Sequence, residues 1–235
     1  MDLLNKKCIF GAIKMYFMFS LSEENYLKAI FHLQNSYKNG VSTNALAEEM
    51  QTKASSVTDM IKRLSEKSLV NYKKYQGVKL SEAGRAAAIE VIRKHRLWEV
   101  FLVEKLNFNW DEVHEVAEQL EHIKSEKLTA ELDRFLGFPQ RDPHGDPIPD
   151  SEGNFSVPNR VLLSELKMDE TGICVGVKDS STEFLQYLDK NNISLGATVK
   201  VKQKEDFDQS MLIEMDDNEL MISNQISANL YIKTT

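Results

Sequence analysis

His114, Glu118, Glu121 and His122 follow one another at i, i+4, i+7 and i+8. On a helix turning about 100° per residue they fall at roughly 0°, 40°, −20° and 80°, one stripe of a single face. Val113, Val116, Ala117, Leu120 and Ile123 take the opposite side. Two imidazoles and two carboxylates gathered this way are the donor set of a divalent-cation site. Nitrogen and oxygen donors without thiolate suit Mn²⁺, Fe²⁺, Co²⁺ or Zn²⁺. A solvated helix face carries the same residue types, so the stripe alone does not decide. Upstream, His95 and Glu99 stand four apart and neighbour each other on a helix. Two His/Glu pairs on successive helices could converge across an antiparallel pair. His32, beside Ile30 and Leu33, reads as structural, and His144 sits in a loop with no motif partner.

The elements that must position these groups are readable from periodicity. Ser81 opens a long helix through about Leu106, with Ala86, Ile89, Ile92, Leu97 and Phe101 on its apolar side. The metal stripe lies on the next helix, roughly Trp110 to Ile123. Before them, residues 20–80 read as a winged helix-turn-helix. Ser22 is the expected cap of the first helix, with Asn25 at its third position. Tyr26, Ile30, Leu33 and Tyr37 recur at helical spacing, and Asn39-Gly40 is the expected stop. A short helix spans Asn44 to Met50 and a turn occupies Gln51 to Lys53. A second helix runs from Ser55 or Ser56 to Lys67, burying Val57, Ile61 and Leu64. Leu69 to Leu80 forms a hairpin with Gly77 near its tip, the wing.

The outer face of the second helix suits DNA. Ser55, Ser56, Thr58 and Asp59 lie near its N-terminus, where side chains reach major-groove base edges or phosphates. Asp59 would repel phosphate, so it is expected on a base edge such as a cytosine amino group. Lys53, Lys62, Arg63, Lys73 and Lys74, with Lys79, supply the phosphate contacts. The net charge of −7 conceals a split: residues 20–94 hold 12 Lys/Arg against 8 Asp/Glu, whereas residues 95–150 hold 6 against 13. A basic front joined to acidic rear segments fits a DNA-binding module fused to a cation-binding one.

The 235 residues are enough for two or three modules. Cys8 and Cys174, far apart, exclude a disulfide scaffold or a CxxC zinc site and fit a reducing, cytoplasmic compartment. No run of eighteen apolar residues exists to cross a membrane. Residues 1–19 carry a short apolar run broken by Lys14. They read as an extension upstream of a start at Met15 or Met18 and are assigned no function. Gly137 to Pro158 is rich in Pro, Gly and Asp and reads as a linker. Beyond it come strands at Gly172–Val177, Ala197–Lys202, Met211–Met215 and Leu230–Lys233, and a helix at Thr182–Lys190. Cys174 falls in an apolar strand as a core residue.

Glu24 to Ile30, the winged helix, Lys94-His95-Arg96-Leu97-Trp98-Glu99, Val113-His114-Glu115, Glu121-His122 and the loop from Asp142 to Pro149 together resemble the diphtheria-toxin-repressor family of iron- and manganese-responsive regulators. The resemblance runs from about residue 20 to the C-terminus. It implies a mainly α chain with a small β domain. The expected parts are a winged helix-turn-helix over 20–80, a helical metal-binding and dimerisation domain over 81–140, a linker over 141–158 and an SH3-like, FeoA-type barrel over 159–235. It implies a homodimeric, metal-activated repressor of metal homeostasis that binds double-stranded DNA at palindromic operators, with no enzyme activity, no small-molecule substrate and no membrane partner. By position, its primary metal site matches Asn25, Glu118, Glu121 and His122, and its second site His95, Glu99 and His114. Iron-type members carry cysteine where this chain has Glu118, so the resemblance points to the manganese type, with Fe²⁺ as the alternative and Co²⁺ or Zn²⁺ as ions able to bind in vitro. Two departures stand out. Asn25 offers only a neutral amide oxygen, and Lys28 replaces an acidic residue of manganese-type members. In the barrel, the matching ligand positions are Val175 and Lys178, neither a ligand type, with Asp179 and Glu183 nearby.

Three other readings of the same residues remain open at this level. A metalloenzyme would use the His/Glu face to activate water, though no nucleophile motif, HExxH or phosphate-binding glycine loop accompanies it. A metal-independent winged-helix protein would leave that face to solvent. An iron-transport accessory protein would account for the barrel but not for the wing.

Overall fold

The computed structural model describes residues 19–37, 39–73, 76–156, 159–216 and 218–234. Most of the N-terminal extension and the candidate DNA contact Lys74 lie outside them. The chain divides into two compact units. The first runs to His95 and adds Gln119–Thr129 and Pro149–Asn154; the second holds Arg96–Glu118, Ala130–Ile148 and Phe155–Thr235.

In the first unit, helix α1 spans Leu21–Leu33 and begins two residues earlier than Ser22 suggests. Ser20 is the cap: its hydroxyl accepts from the Glu23 amide while the Glu23 carboxylate accepts from the Ser20 amide at 2.9 Å. A glutamate reaches back to close this box, which Asn25 is too short to do for Ser22. The helix also stops earlier than Asn39-Gly40. Gln34 takes the C-cap, and its side-chain carbonyl accepts from the Leu80 amide at 2.9 Å, tying the helix end to the wing. Helix α2, Thr43–Glu49, is capped by Ser42. Helix α3, Ala54–Glu66, buries Val57, Ile61 and Leu64 at i, i+4 and i+7. These pack with Leu27, Ile30, Leu46 and Leu69 in one core. Phe19 joins that core, so the last residue assigned to the N-terminal extension belongs to the folded unit, and the Lys124 ammonium donates to its carbonyl.

The wing pairs β1, Val70–Lys73, with β2, Gly77–Leu80, antiparallel. Gly77 has φ +81°, and a Cβ there would stand 2.6 Å from the Val41 carbonyl oxygen. Only glycine accepts both the left-handed backbone and that approach. Helix α4, Glu82–Leu106, follows with Ser81 accepting from the Gly84 amide at 3.0 Å, as expected.

Helices α4, α5 (Val113–Leu120) and α6 (Glu126–Phe135) each contribute residues to both units. Helix α5 is shorter than Trp110–Ile123, and Glu121 and His122 lie in the turn after it.

The second unit is built on an antiparallel sheet in the order β3-β8-β4-β5-β6-β7. Its strands are β3 Val161–Leu162, β4 Thr171–Val177, β5 Thr198–Lys204, β6 Met211–Met215, β7 Asn218–Ile222 and β8 Leu230–Thr234. Helix α7, Thr182–Lys190, and the short α8, Asn224–Ser227, accompany it. Cys174, Leu185, Leu188, Val199, Val201, Ile213 and Ile232 fill its core. The stretch read as a linker is in part ordered. Arg141 and Pro147 form an antiparallel bridge, and Asp142, His144 and Ile148 inside or beside it are buried. The Asp142 carboxylate folds this turn by accepting from the amides of His144 and Asp146, both at 2.9 Å.

Candidate metal centres and nucleic-acid interface

Of the predicted ligands, Asn25, His95, Glu121 and His122 belong to the first unit, and Glu99, His114 and Glu118 to the second. In the first unit, α1 brings up Glu24, Asn25 and Lys28, α4 brings His95, and the turn after α5 brings Glu121 and His122. His95 Nδ1 lies 2.6 Å from Glu121 Oε2, and His122 Nδ1 lies 2.6 Å from Glu24 Oε2. The Lys28 ammonium donates to both Glu121 oxygens, at 2.7 and 2.9 Å. Glu121 is fully buried. Burial alone would raise its pKa, but the His95 hydrogen bond and the Lys28 charge outweigh it and hold the carboxyl below its ordinary value. Lys94 is also buried beside Glu24, Glu90 and Glu121; burial lowers its pKa against the pull of those three carboxylates.

Two oxygens of this cluster, Glu24 Oε1 and Asn25 Oδ1, are buried without a hydrogen-bond donor among the described residues. Buried acceptors without donors fit a cation. The cluster thus has ligand-type oxygens for an ion and, on Glu121, an ammonium of its own. Glu24 is absent from the sequence-derived ligand set, although it adjoins Asn25.

In the second unit, Glu99 is the centre. It is buried, with Oε1 3.7 Å from His114 Nδ1 and Oε2 3.6 Å from His144 Nδ1. His114 Nε2 in turn lies 3.6 Å from Glu118 Oε1, both half-exposed or more, so the pair predicted at i and i+4 does form on α5. Glu118 is thus placed beside His114.

The group that converges most deeply is Glu99, Asp142 and His144. One donor atom from each lies within 4.8 Å of the others, and all three residues are buried. Two of the three are absent from the predicted set. Asp142 Oδ2 also takes Arg96 Nε at 3.3 Å. Burial, then the Glu99 charge, pushes the Asp142 carboxyl up to about 7, with Arg96 opposing. Burial lowers the His144 pKa, but the Glu99 hydrogen bond and the charges of Glu99 and Asp142 win and raise it to about 9. His144 Nε2 lies 2.8 Å from the Trp110 carbonyl oxygen, which can only accept. Nε2 therefore carries a proton, and Nδ1 is the nitrogen that faces Glu99. The usable sequence signal is Asp142-Pro-His144: an aspartate that closes a turn on the residue two positions on holds that residue's backbone in place.

The residues expected to meet DNA lie mostly on the surface. Lys53, Ser55, Ser56, Asp59, Lys62, Arg63 and Lys73 are exposed on α3 and the wing. Thr58 is half-buried and its hydroxyl donates back to the Ala54 carbonyl at 2.8 Å, which leaves only its lone pairs for a ligand. Lys62 pairs with Asp59 at 3.3 Å on the surface. No side chain caps α3, so its first-turn amides remain open to a phosphate. Ser22, Tyr26, Thr52, Ser56, Asp59 and Arg63 edge an open groove of about 480 Å³ along this face.

Among the described residues no helix is long and apolar enough to cross a membrane. Three family models match the chain: the iron-dependent repressor N-terminal DNA-binding domain over residues 18–78, its metal-binding and dimerisation domain over 81–150, and the FeoA domain over 161–234. The structure is similar to that of a manganese-dependent transcriptional repressor in complex with manganese, with a TM-score of 0.82 and 35% identity, covering 91% of this chain and all of that one. In sequence it is 35% identical over 128 residues to the iron-dependent repressor IdeR of Mycobacterium tuberculosis, which is 54% of each chain. It is 36% identical over 141 residues to a protein of Chlamydia trachomatis described as a "Probable metal transport system membrane protein", 58% of this chain and 31% of that one. The chain thus spans about half or less of the length of these two curated relatives. With a DNA-reading winged helix, carboxylate–imidazole clusters, a FeoA domain and a full-length structural match above 30% identity, the chain belongs to the diphtheria-toxin-repressor family of metal-dependent regulators.

Proposed function

We propose that this chain is a metal-activated repressor that binds double-stranded DNA as a homodimer and senses Mn²⁺, with Fe²⁺ as the alternative ion. The observation that carries this reading is the burial and convergence of Glu99, Asp142 and His144. Oxygen and imidazole donors with no thiolate suit Mn²⁺ and Fe²⁺ better than a soft ion. A bound divalent cation supplies the positive charge that balances the Glu99 and Asp142 carboxylates. Glu99 presents one oxygen to each of two imidazoles. His144 offers Nδ1 because Trp110 holds Nε2–H, and Asp142 keeps lone pairs free while its turn and Arg96 fix its carboxyl.

The first cluster is proposed as the second cation position, with Glu24, Asn25, Glu121, His122 and His95 as its donors. There Lys28 must release Glu121 before that carboxylate can serve an ion. The ammonium therefore acts as a competitor that sets a higher threshold for this position. Exposed Phe135 and Phe138 of the second unit offer apolar surface to a second copy. Two α3 helices of such a dimer would meet successive major grooves of a palindrome, about one helical turn apart. A ligand shifts the chain towards the DNA-competent state only by its differential affinity for that state.

The test is an anaerobic titration of operator binding against Mn²⁺, Fe²⁺, Co²⁺ and Zn²⁺. The expected result is Mn²⁺- or Fe²⁺-dependent binding that a Glu99→Gln variant loses. Equal DNA binding with and without every ion would return the chain to a metal-independent winged-helix protein.

A further inference from the structure

We propose that Trp110 is the positioning residue through which the C-terminal sheet domain tunes the affinity of the Glu99–Asp142–His144 cluster. This rests on the reading of that cluster as a metal site.

The argument starts from His144. Its ring is held on two sides: Nδ1 faces Glu99 and Nε2 donates to the Trp110 carbonyl at 2.8 Å. The Trp110 indole lies over the same ring, nearly parallel at 21° with centroids 6.2 Å apart. Where Trp110 sits therefore decides where the imidazole points. Trp110 lies in the short connection between α4 and α5, and its own fixation comes from the sheet domain. Its indole N–H donates to both Asp189 carboxylate oxygens on α7, at 3.1 and 3.0 Å. The next residue is tied to the same helix: Gln186 donates to Asp111 Oδ2 at 2.9 Å, and Thr182 donates to the Asp111 carbonyl at 3.3 Å. Helix α7 thus grips the Trp110-Asp111 connection at successive turns.

A second tether reaches the backbone of His144. The Val177 amide of β4 donates to the His144 carbonyl at 2.9 Å. Gly145, at φ +86°, lets the loop lie against β4; a Cβ there would stand 2.2 Å from the Val175 carbonyl oxygen. The main chain of His144 and the acceptor of its ring proton are both attached to one domain. Groups that orient a metal-binding imidazole through its distal N–H alter metal affinity by about 10–100-fold when removed. The sheet domain can therefore set affinity through the orientation it gives the His144 ring.

Mn²⁺ binding to the full-length protein, followed by the EPR signal of the free ion, tests this. Asp189→Ala and Trp110→Phe should each weaken Mn²⁺ binding about ten-fold. Asp189→Asn keeps an oxygen acceptor for the indole and should recover binding to within about two-fold of the parent. The double variant Asp189→Ala, Trp110→Phe should be no worse than either single one, since both remove one tether. Melting temperatures of the ion-free proteins should agree, which separates positioning from loss of fold. Parent-like Mn²⁺ affinity in Asp189→Ala, an Asp189→Asn variant as weak as Asp189→Ala, or additive losses would overturn the proposal. A Glu99→Gln variant that binds Mn²⁺ as tightly as the parent would instead overturn the reading of the cluster itself.

Discussion

The two clusters solve the same electrostatic problem differently. Around Glu121, carboxylates are buried with lysines: Lys28 contacts both oxygens, and Lys94 stands beside Glu24, Glu90 and Glu121. Around Glu99, Asp142 and His144, two carboxylates share an imidazole, and Arg96 brings a permanent charge to Asp142. The first cluster carries its counter-charge on the chain. In the second, burial and the Glu99 charge push Asp142 up to about 7, while Glu99 and Asp142 overcome burial to raise His144 to about 9. A buried site that must take a proton to stay neutral is one that an exchangeable cation can serve.

The sharpest way to break this comparison is to remove the built-in charge. Lys28→Met strands a buried carboxylate and should cost about 3 kcal/mol of ion-free stability, read by urea unfolding. Saturating Mn²⁺ should restore part of it, and the variant should bind Mn²⁺ more tightly at the first cluster than the parent does. An unchanged unfolding midpoint would show that the ammonium does not hold the cluster.

Next comes the second cluster. Glu99→Gln or His144→Ala should erase the metal enhancement of operator affinity, about 100-fold, in a fluorescence-anisotropy titration. Ion-free DNA binding should be unchanged, because neither residue lies on the reading helix.

A smaller effect serves as the control for both. Arg63→Ala lies in neither cluster, so it should weaken operator binding about ten-fold with or without Mn²⁺, and lower the slope of log affinity against log salt by about 1. A loss seen only with metal would place Arg63 in the switch rather than in the DNA contact. The smallest effect is expected at Lys62–Asp59, an exposed pair with side chains 66% and 68% accessible. Lys62→Ala should change stability by less than about 0.5 kcal/mol. Set against Lys28→Met, it measures how much burial changes the worth of a lysine–carboxylate pair.

The regular elements were readable because their signal is local. Val57, Ile61 and Leu64 declare α3, Gly77 declares the wing tip, and the apolar face of α4 persists to Leu106. Termini were less legible: Ser20 caps α1 because Glu23 closes a box, a competition between neighbouring serines that a pattern search decides poorly. The edge strand β7 was missed because Asn218 and Glu219 interrupt its apolar alternation. At the site, His114 and Glu118 meet as helix spacing predicts, whereas Glu121 and His122 sit in a turn, where no wheel applies. Asp142 and His144 were hidden by composition. A Pro- and Gly-rich stretch reads as a connector, and only tertiary packing against α4 turns it into a ligand loop.

Cys174 has a consequence for chemistry in an oxidising cell. It is fully buried in β4, and burial pushes its thiol up to about 11. Peroxide attacks the thiolate form, which this residue does not present. Among the described residues, the donors of both clusters are carboxylates, imidazoles and one amide, none of which peroxide converts readily. Exposure of the ion-free protein to peroxide should therefore leave these groups chemically intact.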